Sequence, residues 1–253
     1  MKKIVIVLLC VFSILIGYIV YDKSDGVSGL REDIGLEIKA RSNPKLRTIL
    51  NNKNQYPDAM IQSLYRNEEL IDFVYSYPSK KGHVYTSTIG PITKGHYPLL
   101  LQYDQRWGYG KYGHNVIGMN GCGPTSAAMI IAGLTGRNNI TPFDVASYAY
   151  SHGYYQDGTS WSFFTKGMKH YGIHGRNIPF SYSSMKNEIM NGRPLICSMK
   201  PGDFTTTGHL IVIKGMKKGM FMVNDPNSIK RSNRLWSYDT LSKQIRNIWS
   251  FSR

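Results

Sequence analysis

Gly121-Cys122-Gly123-Pro124-Thr125-Ser126-Ala127-Ala128-Met129-Ile130-Ile131 is the stretch on which the reading of this 253-residue chain turns. Pro124 fits the first turn of a helix, where its missing N–H costs nothing, and the residues after it continue a helix to about Leu134. Cys122 therefore stands at a helix N-terminus, where unpaired backbone N–H groups and the positive end of the dipole stabilise a thiolate. The flanking glycines leave room for a substrate backbone to come close. A small cysteine packed at a helix cap is the competing structural reading, and it leaves the absence of large side chains around the sulfur unexplained.

A nucleophilic cysteine needs a base, and the candidates are His83, His96, His114, His152, His170, His174 and His209. Most sit in polar loop contexts. His209 opens the run Gly208-His209-Leu210-Ile211-Val212-Ile213, at the mouth of an apolar strand, where a side chain is fixed by the sheet yet open at one end. Asp225, in Val223-Asn224-Asp225-Pro226-Asn227-Ser228, follows 16 residues later, a spacing that suits two adjacent antiparallel strands and turns the carboxylate toward His209. There it would hold one imidazole tautomer and stabilise the imidazolium. An Asx-turn before Pro226 is the plainer role for the same residue. For the developing oxyanion, the side-chain amide of Gln102, in Leu101-Gln102-Tyr103-Asp104-Gln105-Arg106-Trp107-Gly108, is the candidate beside the Cys122 N–H, with Gln105 its rival by proximity. Asp104 and Trp107 read as braces of that loop.

Around these residues, helical spacing recurs at 163–171, ended by Gly172, and at 183–191, ended by Gly192. Strands follow at 195–199, 209–214 and 220–224. A helical half followed by a β-rich half is an α+β layout. Upstream, Pro57 starts one short helix through Met60, Ile61 and Leu64, and Asn67-Glu68-Glu69 starts a second that Tyr77-Pro78 ends. The expected organisation is an anchor or signal peptide at 1–21, a polar stalk at 22–56, a helical lead-in at 57–98 and a catalytic domain at 99–253.

Lys2 and Lys3 precede an apolar run from Ile4 to Val20, near the minimum for a spanning helix and followed by no small-x-small cleavage site. The charge order places the N-terminus in the cytoplasm and the domain outside, anchored unless the segment is cleaved. Cys10, preceded by Leu9, is not read as a lipidation site. Thirty-one Lys and Arg against 16 Asp and Glu give a net charge of +15, which favours an anionic membrane or cell-wall surface. No basic helix or aromatic-basic interleaving points to nucleic acid. Lys214, Lys217, Lys218, Lys230, Arg231, Arg234, Lys243 and Arg246 read as a solvated basic face. Export makes a Cys122–Cys197 disulfide the first structural expectation for that pair, but Cys197 in Pro194-Leu195-Ile196-Cys197-Ser198-Met199 reads as a buried strand thiol instead. No Cys-x-x-Cys pair nucleates a metal site, so no metal and no cofactor is expected. The Gly- and Thr-rich run from Lys200 to Gly208 suggests a lid.

Four blocks, Gln102 to Gly108, Gly121 to Ser126, Pro201-Gly202-Asp203-Phe204-Thr205-Thr206-Thr207-Gly208-His209 and Asn224 to Ser228, together resemble the peptidase C39-like family, relatives of the double-glycine leader peptidases in the papain-like superfamily. The resemblance covers roughly 57–253. It implies a Cys122 nucleophile, a His209 base, an Asp225 partner and a Gln102 oxyanion donor, with the cysteine helix packed on an antiparallel sheet. A thiol-dependent hydrolase of peptide or protein substrates follows as the expected function. Leader processing does not, because the sequence carries no transporter spans or ATPase. A peptidoglycan amide hydrolase and a catalytically silent peptide- or glycan-binding module are the alternatives.

Overall fold

The computed structural model describes residues 34–253, which fall into two compact units divided between Tyr75 and Ser76. The anchor expected at 1–21 lies outside the described residues. Among the described residues, no helix is long and apolar enough to cross a membrane.

In the first unit, part of the stretch read as a stalk is helical: α1 (Pro44–Asn51) buries Leu46, Ile49 and Leu50 on one face. Asn43 caps it by accepting from the Leu46 N–H at 3.1 Å, and Pro44 fills the first position, a start signal that the polar composition of 22–56 hides. Helix α2 (Asp58–Arg66) follows Pro57 and buries Met60, Ile61 and Leu64 as its spacing requires. Asn67 caps the next turn through Glu69 N, and α3 (Ile71–Lys80) continues from it. Pro78 does not end α3. It stands inside the last turn, which still closes through Lys81 N to Tyr77 O at 2.9 Å, because a proline so near the C-terminus forfeits a single bond.

The second unit is α+β. Its main sheet is antiparallel, with β3 (His174–Asn177), β4 (Leu195–Met199), β5 (His209–Lys217), β6 (Met220–Asn224), β7 (Leu235–Trp236) and β8 (Ile245–Ser252) in the order β3-β8-β4-β5-β6-β7. A small hairpin, β1 (Lys111–Tyr112) and β2 (Asn115–Val116), stands apart from it. A one-turn helix, α4 (Ile117–Asn120), leads into α5 (Cys122–Thr135), which runs on to Gly136 in the left-handed region at φ 76°. Helix α5 buries nearly every side chain from Gly123 to Gly133, as a helix apolar all round must.

Strand alternation splits the core into two layers. Ile196, Leu210, Val212, Trp249 and Phe251 turn toward α5 and α6 (Pro142–Ser151). Cys197, Ile211, Ile213, Phe221 and Val223 turn the other way, toward Met185 of α8 (Tyr182–Met190) and Leu241 of α10 (Tyr238–Ser242). With both faces covered, β4 is buried at every position rather than at alternate ones. Cys122 and Cys197 are both free, Cys197 fully buried among the second set, so no disulfide joins them. Burial pushes the Cys197 thiol far above its ordinary range, which leaves it inert.

Four elements depart from expectation. The helix read at 163–171 breaks into α7 (Ser162–Thr165) and a 3₁₀ turn, Gly167–Tyr171; at Gly167 a Cβ would come within 2.3 Å of the Phe163 ring. Strands β8 and β3 were not foreseen, although β8 lies inside the sheet. The run Lys200 to Gly208, read as a lid, is pinned: Lys200 N donates to Gln244 O, Gln244 exchanges two bonds of 2.6 Å with Asp203, and Phe204 is buried against Trp236. This segment is an ordered connection.

Candidate active site

The start of α5 and the start of β5 meet. Cys122 is half-buried at the first position of α5, close enough to the His209 ring for the two to interact electrostatically. His209, 8% exposed at the first position of β5, points Nε2 at Asp225 Oδ1, 2.7 Å away, which leaves Nδ1 to the sulfur. Asp225, just past the end of β6, is fully buried.

Charge holds this line together. Burial alone would pull the His209 pKa down, but the Asp225 carboxylate and then Cys122 carry it from the ordinary 6.5 up to about 10. The imidazole is thus cationic at neutral pH. Burial would raise Asp225, yet His209 and then Arg231 outweigh it and keep the carboxyl below its usual range. Asp225 Oδ1 also accepts from Asn227 N at 2.7 Å, so the Asx-turn and the histidine contact are made by one oxygen.

Arg231 donates from Nε to Asp225 Oδ2 at 2.5 Å. The sequence reading placed it on a solvated basic face. Instead Ser228 caps the single turn α9 (Ile229–Ser232) by accepting from Arg231 N, and Ser232 Oγ accepts from Asp225 N at 2.8 Å, folding the arginine back over the carboxylate. The Ser228-x-x-Arg231 spacing after Asp225 carried that signal.

Gln102 is 4% exposed and sits between the two sides of the site. Its backbone N–H donates to Pro226 O at 2.8 Å, and its Nε2 donates to Gly118 O at 2.9 Å and, more loosely, to Met119 O at 3.4 Å. Gln105 points elsewhere, accepting from Lys80 Nζ at 2.6 Å. Asp104 and Trp107 brace the loop as expected: Asp104 pairs with Arg106 at 2.7 Å, and Trp107 donates to Leu101 O at 2.8 Å.

The glycines beside Cys122 have a different reason from the one first given. A Cβ on Gly121 would fall 2.5 Å from the Ile117 carbonyl oxygen, and one on Gly123 would fall 2.2 Å from Thr159 Oγ1. They admit the protein's own chain rather than a substrate. Thr159 is held by a 2.8 Å bond to the Tyr112 hydroxyl, and Tyr112 is close enough for its phenol to feel the charge of Cys122. Neither residue stood out in the sequence, since an isolated Tyr or Thr in a loop carries no local pattern.

Among the described residues no three His, Cys, Asp or Glu side chains gather in a way that could hold a metal. His170 and His174 are four apart in sequence, but the first stacks on Tyr148 at 4.0 Å and the second lies on β3.

The model of the Peptidase_C39 like family matches residues 94–252, which include Gln102, Cys122, His209 and Asp225. The chain belongs to that family. It is accordingly a cysteine peptidase, as the sequence blocks implied. No curated protein sequence matches it. Among solved structures, this peptidase is similar to the peptidase domain of Streptococcus ComA, a bifunctional ABC transporter involved in a quorum-sensing pathway, at 18% identity and TM-score 0.43, covering 62% of this chain and 96% of that one. It is also similar to a double-glycine motif protease from an AMS/PCAT transporter in complex with its leader peptide, at 18% identity and TM-score 0.41, covering 65% and 96%.

Proposed function

We propose that Cys122 is the nucleophile, His209 the acid and base, Asp225 the group that orients His209, and Gln102 an oxyanion donor, in a peptidase acting on peptide or protein substrates outside the cytoplasmic membrane. The observation that carries the reading is the line from the buried Asp225 through the buried His209 toward the half-exposed Cys122, with the carboxylate 2.7 Å from the ring.

The Cys122 thiolate adds to the scissile carbonyl carbon, and the charge that develops on oxygen is met by the Cys122 N–H and the second N–H of Gln102 Nε2, whose contact with Met119 O is long at 3.4 Å. The imidazolium gives its proton to the departing amine as the C–N bond breaks, leaving a thioester on Cys122. Neutral His209 then takes a proton from water, whose oxygen attacks the thioester, and returns it to the sulfur as the carboxylic acid leaves. Asp225 stays ionised throughout, holding Nε2 and balancing the cationic ring.

A peptide substrate agrees with the leader-peptide complex of the similar AMS/PCAT protease. Residues 1–21 would be the membrane anchor, 22–56 a connecting segment whose later part folds as α1, 57–98 the lead-in and 99–253 the catalytic domain, with the catalytic side facing outward. The +15 charge would hold the enzyme at an anionic wall, which favours cell-wall peptide cross-bridges as a second substrate class. The test is labelling with an electrophilic thiol probe beside cleavage of a peptide library. Wild type should take one label at Cys122 and cut peptides, and Cys122→Ala should do neither while keeping its circular dichroism. Labelling that persists at Cys197 in the folded Cys122→Ala protein defeats the assignment.

A further inference from the structure

On the α5 side of the sheet, Trp161, Ser162, Thr165, Asn177, Asn247 and Trp249 line a cavity of about 270 Å³. That is below the roughly 300–1,000 Å³ of whole small-molecule pockets, so it suits one side chain rather than an entire ligand. It lies beside the site. Two residues before Trp161, Thr159 rests against Gly123, the neighbour of Cys122. On the other wall, Asn247 is in register with Ser198, and Ser198 with Leu210, the residue after His209. Two strand spacings of about 4.8 Å put Asn247 about 10 Å from Leu210, or about three residues of extended chain.

The lining has a definite chemistry, because it contains no charged side chain. Trp161 and Trp249 stand edge to face, with centroids 5.4 Å apart and planes at 77°, and Trp161 keeps 46% of its surface exposed although it is a large aromatic. The indoles form an apolar corner. Beside them, Asn247 Nδ2 donates to Asn177 Oδ1 at 2.9 Å, a bond that leaves Asn247 Oδ1 as an acceptor and Asn177 Nδ2 as a donor for a further partner. A carboxylate or ammonium group entering here would lose water without gaining a countercharge. A carboxamide would meet both amide groups at once while its methylenes lie on the indoles.

We propose that this cavity is a specificity subsite that receives an uncharged carboxamide side chain, glutamine or asparagine, about three residues from the scissile bond of the peptide substrate. The placement along the substrate rests on the Cys122–His209 reading; the ligand chemistry does not.

Binding is therefore tested apart from turnover. Cys122→Ala protein is titrated with three tetrapeptide amides that differ at a single position, Gln, Glu or Lys, while the indole N–H signals of Trp161 and Trp249 are followed by NMR, with Trp161→Phe fixing the assignment. The Gln peptide should move both signals and bind about tenfold more tightly than the Glu and Lys peptides, as expected of a site that pairs with a donor and an acceptor. Asn247→Asp puts an anion in the cavity and should shift the preference to the Lys peptide, a gain that a damaged fold does not give. Equal binding of the three, no indole response to any of them, or an Asn247→Asp protein that still ranks Gln first would overturn the subsite. If the Gln peptide binds as described and wild type cleaves nothing, the subsite stands and the hydrolase reading fails.

Discussion

Arg231 Nε and Asp225 Oδ2 are 2.5 Å apart, so the carboxylate that meets His209 on one oxygen is gripped by a guanidinium on the other. The fully buried anion therefore lies between two cations, and its ionised form depends on both.

Removing one of them has a direct cost. Arg231→Gln should destabilise the domain by about 3 kcal/mol, the low end for breaking a buried pair, because the arginine side chain keeps 21% of its exposure. Urea denaturation measures this. The same variant should raise the His209 pKa further, since the Asp225 charge then acts on the imidazole alone, and the His209 ring protons report it by NMR.

Asp225→Asn acts in the opposite sense on the histidine. Burial would then be opposed by Cys122 only, and the His209 pKa should fall well below 10, toward or under the ordinary 6.5. The imidazolium needed to protonate the leaving amine would be scarce, and kcat/KM at neutral pH should drop about a thousandfold or more. A variant that kept its activity and a His209 pKa near 10 would remove Asp225 from the mechanism.

Stability should fall away at both ends of the pH scale for separate reasons. The folded pKa of His209 is raised, so its contribution is complete below 6.5 and lost as pH climbs to about 10. Glu188, held by Arg193, Ser250 and Arg176, is lowered from 4.5 to about 2, so its contribution is complete above 4.5 and lost as pH falls to about 2. His209→Gln should flatten the alkaline limb of a thermal-melting profile, whereas Glu188→Gln should reduce the acid limb and leave the alkaline one.

Gly123→Ala would drive its methyl into Thr159, with Oγ1 at 2.2 Å and Cβ at 2.5 Å. Overpacking of this kind costs about 1–3 kcal/mol and should displace the start of α5, lowering the thiol-labelling rate as well as stability. Adding Thr159→Gly removes the obstructing atoms and should restore part of both. Thr159→Gly alone should not mimic the rescue, because it also forfeits the bond to Tyr112.

The parts legible in the sequence are those that carry a local pattern. Pro124 and the apolar run behind it located α5, and Gly192 marked the end of α8 with φ 71°. The strands at Leu195 and Met220 showed as apolar runs, and the 16-residue interval matched the contact between His209 and Asp225. Helix α6 was overlooked although Thr141 and Asp144 form a capping box that is visible as Thr141-Pro142-Phe143-Asp144. Strand β8 is harder to see: Arg246 and Asn247 interrupt its apolar pattern straight after Ile245, and its apolar residues serve two different cores. Arg231 is one basic residue among many, and only the Ser228-x-x-Arg231 spacing of the turn after Asp225 sets it apart. Nothing local in His174-Gly175-Arg176-Asn177 reads as a strand, and only its pairing with β8 makes it one.

Strand β8 runs between β3 and β4, yet it comes after both in the chain. The sheet cannot zip up in the order in which its pieces are made: until Ile245–Ser252 arrives, β4 keeps a bare apolar edge and β3 has no partner at all. Closure then waits on a long-range insertion, a slow kind of step. A nascent or partly unfolded molecule would have its sulfur helix in place and an unfinished wall opposite Trp161, vulnerable to clumping and to other proteases before it could cut anything selectively.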